Sequence, residues 1–598
     1  MNKRFIEILL LLICIIFSFN LSGMSRHGAD IDEESEEEET IEKIDDWVLG
    51  LHEEEDIYKS DSNAGTFKIL DAAKFNKSIP LTLGKSSFDA ERVSEANIGL
   101  SVGGAKDIDN FRDNIANNYL PLPSSITYEG LFYDYYFETG KQEESTEMFS
   151  PSYSIGKIDN IRSKKEELWL SVGLNSNIKG SDFARKKLNL VVVLDISGSM
   201  RSSFDEYYYD GKKNIDEEEF DKRSKLEIAK ETICSMLDHL NDDDRFGMVV
   251  FENQAHLAKP LNSVGKTDMK KIKGHIMDLH TMGGTNMYAG MQEGTEIFKD
   301  LKNTDKTEYE NRIIFLTDAM PNRDLTDKYS LWGVLKENAK EDLYATLIGV
   351  GVDFQTELVE AISKVEGANY YSIQSARDFK KRLDDEFEYM VTPLVFDLRL
   401  VLDTEGYRIK RVCGIPYSED KHGEIMKVGT LFPSASEEGE VKGGIILVEL
   451  EKLEEGGKLE LIASYDDRSG KHHRSKKKVN INDKRPHSGM KKGILLVHYA
   501  DLLKEWIHGE LGIEKQWDED SEDEWQYMQQ QRHKTYNSQW EHGSIPLKID
   551  GKYIDEFIKF REYMQKEITK LGDKSLQQEI DLLDKLIDFA LPYDENKE

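Results

Sequence analysis

At 598 residues, with 38% hydrophobic and 32% charged positions, the chain is too long for one hydrophobic core. A domain for every ~100–200 residues gives three or four. Asp and Glu number 114 against 79 Lys and Arg, a formal net charge of -35, which argues against nucleic acid as a partner, because polyanion binding needs basic patches that release counterions.

The N-terminal stretch MNKRFIEILLLLICIIFSFNLSGMS places Lys3 and Arg4 before an apolar run from about Ile8 to Phe19. That is the length of a secretory signal core rather than of a bilayer span, so residues 1–25 read as a signal peptide and the mature chain as secreted or held at the cell envelope. An uncleaved anchor is the alternative, and membrane association is expected only in that case. Met24 stands where a lipoprotein would carry Cys, so lipid attachment is not indicated. Cys14 falls in this segment, and Cys234 and Cys413 are too few for a disulfide framework.

Residues 26–63 include DIDEESEEEETIEKIDD, a run of like charge with little to bury, read as an acidic disordered linker. From 64 to 185, short alternating stretches such as ELWLSVGLNS predict a β-rich N-terminal module. The aromatic-dense LPLPSSITYEGLFYDYYFE within it is expected to pack against a neighbouring sheet.

Between 186 and 392 the texture changes. LNLVVVL, RFGMVVF, RIIFLT and YATLIGVGV are near-continuous apolar runs of the kind that parallel strands covered on both faces require. KLEIAKETICSMLDHL, lying between two of them, has Leu226, Ala229, Ile233, Leu237 and Leu240 at helical spacing. Alternating strands and helices predict a doubly wound α/β domain. LVFDLRLVLD, GGIILVELE and KLELIASYDD predict a second β-rich module over 393–484, and 485–598 reads as a helical C-terminal region. The fold class is therefore multidomain, an α/β doubly wound centre flanked by β-rich modules and a C-terminal helical region.

Open α/β sheets bind ligands beyond the carboxyl ends of their strands. Three separated stretches deliver oxygen donors to such ends. LNLVVVLDISGSM runs into Asp195, Ser197 and Ser199; HTMGGTNMYAG carries Thr285 after Gly283 and Gly284, with Asn286 placed to start a helix; and RIIFLTDAMPN ends at Thr317 and Asp318. The two carboxylates of Asp195 and Asp318 and the three hydroxyls of Ser197, Ser199 and Thr285, with no Cys or His among them, suit Mg²⁺, Mn²⁺ or Ca²⁺ rather than zinc.

DxSxS at Asp195, Ser197 and Ser199, GGT at Thr285 and a strand-ending TD at Asp318 resemble the metal-ion-dependent adhesion site of von Willebrand factor type A domains. Around that segment, IGLSVGGAKDIDNFRDNIANNYLPLPSSITYEGLFYDYY and PLVFDLRLVLDTEGYRIKRVCGIP resemble bacterial type A proteins of the YfbK type. The resemblance implies that Ser197, Ser199 and Thr285 ligate the ion directly or through water, that Asp195 and Asp318 hold it through water, and that an Asp or Glu of a protein partner completes the shell. Ala319 stands where Gly is common.

The enzymatic alternative is metal-dependent phosphotransfer by Asp195, but Ser197 occupies the place of the second carboxylate that chemistry needs. A serine hydrolase is no better placed, since DISGSM lacks G-x-S-x-G, and no complete P-loop or H-E-x-x-H is present. The expectation is an exported, non-catalytic adhesion or scaffold protein that captures an acidic partner residue through a divalent cation. A purely structural envelope role is the other alternative.

Overall fold

The computed structural model describes residues 43–50, 97–102, 109–121, 123–140, 147–202, 223–301, 308–318, 325–350, 365–373, 386–415, 423–437, 439–481, 486–512 and 545–590, with 362, 379–380 and 383–384. The signal segment, most of the acidic linker, the 203–222 insertion and Ala319 lie outside the described residues.

The central α/β unit is built on strands β1 (Lys187–Asp195), β2 (Arg245–Phe251), β3 (Ala255–Ser263), β4 (Tyr309–Thr317), β5 (Leu343–Val350) and β6 (Asn369–Ile373). They form one sheet in the order β6-β5-β4-β1-β2-β3. All neighbours are parallel except β2 and β3. β1 is central because both of its faces are apolar. Leu188, Leu190, Val192 and Leu194 pack into the core on one side, while Val191 and Val193 pack into the core on the other, as alternating side-chain direction in a strand demands.

Helices α1 (Lys225–Met236), α2 (Met269–Met277), α3 (Met287–Glu296) and α4 (Leu325–Lys340) accompany the sheet. Ser224 and Glu227 close a capping box at the start of α1, and Asn286 caps α3 by accepting the N–H of Ala289. The α1 stripe is as read: Leu226, Ala229, Ile233 and Leu237 are buried and Leu240 partly so. The antiparallel edge strand β3 carries Pro260, which can donate no ladder hydrogen bond and is at home on an edge. Its mixed polarity is why no strand was expected there.

The two flanking β-rich stretches are interleaved in the structure. One sheet runs His472–Lys478, Lys458–Asp467, Val395–Glu405, Glu424–Ser434, Asn97–Val102, Asn175–Lys179, and the other Tyr407–Cys413, Ile445–Lys452, Lys165–Gly173, Ser152–Asn160. N-terminal strands pair with strands more than 250 positions away, Leu100 opposite Pro433 and Leu170 opposite Val448. Ile98, Leu170, Leu398, Leu400, Ile446 and Leu461 lie in one shared core. A half-sandwich would leave edges and an apolar face bare, so the strands on either side of the α/β unit complete one another.

The aromatic-dense segment packs against a neighbouring sheet as expected, sharing a core with Trp169, Ile445 and Leu447, and in addition against helices. Asp109–Ala116 and Tyr128–Tyr133 are helices. Phe111, Leu131, Phe132 and Tyr135 share a core with Tyr499 and Trp506 of the helix Ser488–Leu511, with Phe557 and Phe560 of Gly551–Leu571, and with Leu583 of Gln577–Ala590. The aromatics are thus covered by the C-terminal helices as well as by the sheet. Residues 43–50 of the expected linker are also ordered: Asp46 pairs with buried Lys259 at 2.9 Å, Trp47 stacks on His275, and Ile44 bridges Thr267. A tryptophan and a fixed ion pair hold what its charge alone would leave solvated.

The sandwich meets the α/β unit at the start of β4, where Arg468 lies 3.3 Å from Glu310, and before β6, where Gly367 N–H donates to Thr430. Asp318, at the far end of β4, is about 25 Å away along the strand. The carboxyl-end edge of the sheet therefore points away from the sandwich. Among the described residues no helix is long and apolar enough to cross a membrane.

Glu167 ties the sandwich to the C-terminal helices, within 2.9 Å of His498 Nε2, 3.0 Å of Trp169 Nε1 and 2.8 Å of Asn160 Nδ2. Burial raises its pKa, but these hydrogen bonds outweigh burial and hold it at about 2. A depressed carboxylate adds stability above its unfolded value of ~4.3 and loses it as pH falls toward the folded value. The gap in denaturant midpoint between wild type and Glu167→Gln is therefore expected to shrink between about pH 4.5 and 2. A gap constant across that range would remove the proton-linked contribution.

Candidate functional site

The strand order reverses between β1 and β4, and the crevice at such a switch point is where an open α/β sheet binds ligands. Asp195 ends β1 and is fully buried. Its Oδ1 accepts the N–H of Ser197 at 2.8 Å and its Oδ2 accepts the hydroxyl of Thr317, the last residue of β4, at 2.6 Å. Burial pushes the Asp195 carboxyl up to about 6, with the Asp318 charge adding to the rise and the bonds from Thr317 and Ser197 opposing it.

Ser197 leads into the short 3₁₀ turn Gly198–Arg201. Its Oγ lies 3.0 Å from that of Ser199, which donates to Asp318 Oδ1 at 2.7 Å. Four of the five expected residues, Asp195, Ser197, Ser199 and Asp318, therefore form one hydrogen-bonded run across the ends of β1 and β4. Thr285 arrives on a separate loop. Gly198 N–H donates to Gly283 O at 3.2 Å and Met282 N–H to Ile196 O at 2.7 Å, which ties that loop to the DxSxS turn. The half-buried Thr285 is the one of the five that stands outside this run among the described residues.

Three further contributors were given no role by the sequence, although Thr317 was placed at the strand end. Thr317 anchors Asp195, and the carboxylate of Glu252, at the end of β2, is within reach of Asn253 N–H and 3.6 Å from His256. The third is Lys225, whose side chain is only 1% exposed and whose Nζ lies 3.2 Å from Asp318 Oδ2. Lys225 is the first residue of α1 and sits beside an apolar stripe, so periodicity assigned it no inward role. The oxygens that could hold a cation here are those of Ser197, Ser199, Thr285, Asp195 and Asp318. Among the described residues no group of three or more His, Cys, Asp or Glu is arranged to hold a metal.

The family model of the von Willebrand factor type A domain matches residues 190–320. This segment is a von Willebrand factor type A domain. The chain is similar in sequence to part of the bovine (Bos taurus) inter-alpha-trypsin inhibitor heavy chain H1, 22% identical over 226 residues, 37% of this chain and 23% of that protein. A human (Homo sapiens) relative, the voltage-dependent calcium channel subunit alpha-2/delta-3, is 23% identical over 269 residues, 43% of this chain and 22% of that protein. The matched stretch thus spans less than a quarter of either curated relative. Among solved structures, the von Willebrand factor type A protein from Catenulispora acidiphila aligns with a TM-score of 0.36 and 15% identity, covering 61% of this chain and 81% of that one.

Gly283 holds the type A domain's Thr285 loop in a left-handed turn at φ 64°, and a Cβ there would run into the Glu252 carboxylate and the Asn253 amide. Gly283→Ala is expected to cost on the order of 1 kcal/mol or more. Gly274→Ala, within α2 where a Cβ meets open space, is expected to be neutral or stabilising by up to about 1 kcal/mol. Denaturant unfolding of both variants checks the contrast.

Proposed function

We propose that this chain is an exported, non-catalytic protein that binds a protein partner through a divalent cation, Mg²⁺ with Mn²⁺ or Ca²⁺ as substitutes, at the carboxyl edge of its type A domain. Ser197, Ser199 and Thr285 hold the ion, Asp195 and Asp318 anchor its waters, and an Asp or Glu of the partner supplies a further oxygen. The observation that carries this reading is the hydrogen-bonded run from Asp195 through Ser197 and Ser199 to Asp318. An octahedron with ligands at ~2.0–2.1 Å has edges of ~2.8–3.0 Å. The Ser197 to Ser199 oxygen separation of 3.0 Å suits adjacent corners of such a shell, and the all-oxygen donors suit a hard cation. A divalent ion supplies the positive charge that an acidic group from outside would seek.

The surroundings support binding rather than turnover. Gly198, Gly283 and Gly284 are exposed at the rim, and Met282 beside them is 48% exposed, offering bare backbone and an apolar contact to a visiting surface. Among the described residues the carboxyl edge is turned away from the sandwich. The curated relatives are, by their names, an inhibitor heavy chain and a channel subunit, both parts of larger assemblies.

Calorimetric titration with Mg²⁺ tests the reading. Wild type is expected to bind, and Ser199→Ala to bind at least about tenfold more weakly, the loss typical even for an outer-shell partner. Pull-down from the extracellular fraction is expected to recover a partner with Mg²⁺ and lose it with EDTA or in Asp195→Ala. Absence of Mg²⁺ and Mn²⁺ binding, or phosphate-ester turnover that depends on Asp195, would overturn it.

A further inference from the structure

An ammonium group is an unexpected tenant beside a cation site. Lys225 Nζ lies 3.2 Å from Asp318 Oδ2, and the two side chains are 1% and 0% exposed. Burying a charge is costly unless it is paired and hydrogen-bonded. The position is also tightly determined. Ser224 caps the helix immediately before it, and Leu226 is locked into the core, so the first turn of α1 delivers Lys225 to the sheet edge. The opposite oxygen of Asp318 is the one that receives Ser199. Asp318 is thus divided between a fixed positive charge on one side and the hydroxyl run on the other.

We propose that Lys225 is a resident counter-charge that sets the balance of the cation site. The inference rests on the metal-site reading above. Without a cation, two carboxylates and one ammonium leave the site at -1, so the edge stays folded without metal. With a divalent cation it reaches +1, where a site lacking the lysine would stand at zero. The Glu252 carboxylate, which lies against Gly283 and reaches Asn253 N–H and His256 of β3, adds the same charge with and without the lysine, so the difference of one charge made by Lys225 stands. Lys225 therefore weakens cation binding and, once the cation is seated, leaves a surplus positive charge for an incoming carboxylate to neutralise. It acts through Asp318 and is a positioning residue rather than a ligand.

The full chain titrated with Mg²⁺ by calorimetry, with melting followed in parallel, tests this. Lys225→Met and Lys225→Gln are both measured, so that a folding failure in one leaves the other. Either neutral variant is expected to bind Mg²⁺ about tenfold more tightly than wild type or better, to melt earlier in EDTA, and to gain a larger Mg²⁺-induced shift in Tm. Lys225→Arg keeps the charge and is expected to stay near the wild-type affinity. Neutral variants that bind Mg²⁺ no more tightly than wild type would overturn the counter-charge role while leaving the metal site in place. Failure of wild type and all variants to bind Mg²⁺ or Mn²⁺ would overturn the metal-site reading and this inference with it.

Discussion

The bond between Asp195 and Thr317 holds together what the rest of the carboxyl edge is built on. β1 and β4 are adjacent and parallel, and nothing in a strand ladder by itself fixes the side chains where the strands stop. A 2.6 Å hydrogen bond between the last residue of each does so, in a buried setting where it is shielded from water. The Asp195 carboxylate also receives Ser197 N–H, which sets the turn that carries both serines. One buried acid thereby orients two strands and a loop, and the backbone bonds from Gly198 and Met282 add the third loop.

Among the described residues, that edge is kept clear of the sandwich by the way the chain is threaded. The type A domain follows the strand Asn175–Lys179 and precedes Val395–Glu405, and both of these belong to the same sheet. An inserted domain of this kind has its entry and exit at the host, here near the Arg468 to Glu310 contact and the Gly367 to Thr430 bond. The opposite ends of the strands are left to the loops. A host sheet with the proposed binding edge turned away from it suits capture by surface contact.

Charge in this molecule is distributed by role. Its large acidic excess disfavours polyanion binding, yet three of the cations buried among the described residues sit at joints: Lys225 at the sheet edge, Lys259 under the 43–50 segment, and Arg312 with Glu310 at the base of β4. Removing one partner of such a pair leaves an uncompensated buried charge, which specifies how segments meet more than it adds net stability.

Local pattern was enough to determine the α/β class, the buried central strand and the α1 stripe, and the resemblance of three short motifs was enough to single out Asp195, Ser197, Ser199, Thr285 and Asp318. Apolar alternation and helical spacing are written within a few neighbouring residues, and the ends of parallel strands are known places for ligands. Tertiary structure alone decided that the flanking strands share two sheets, that Tyr128–Tyr133 is a helix beneath the C-terminal helices, that β3 is an edge strand, that residues 43–50 are pinned, and that Lys225 reaches Asp318. Each of these depends on contacts between residues distant in the chain, whose pairing is chosen by which edges and apolar faces would otherwise stay bare, and local periodicity carries no record of that choice.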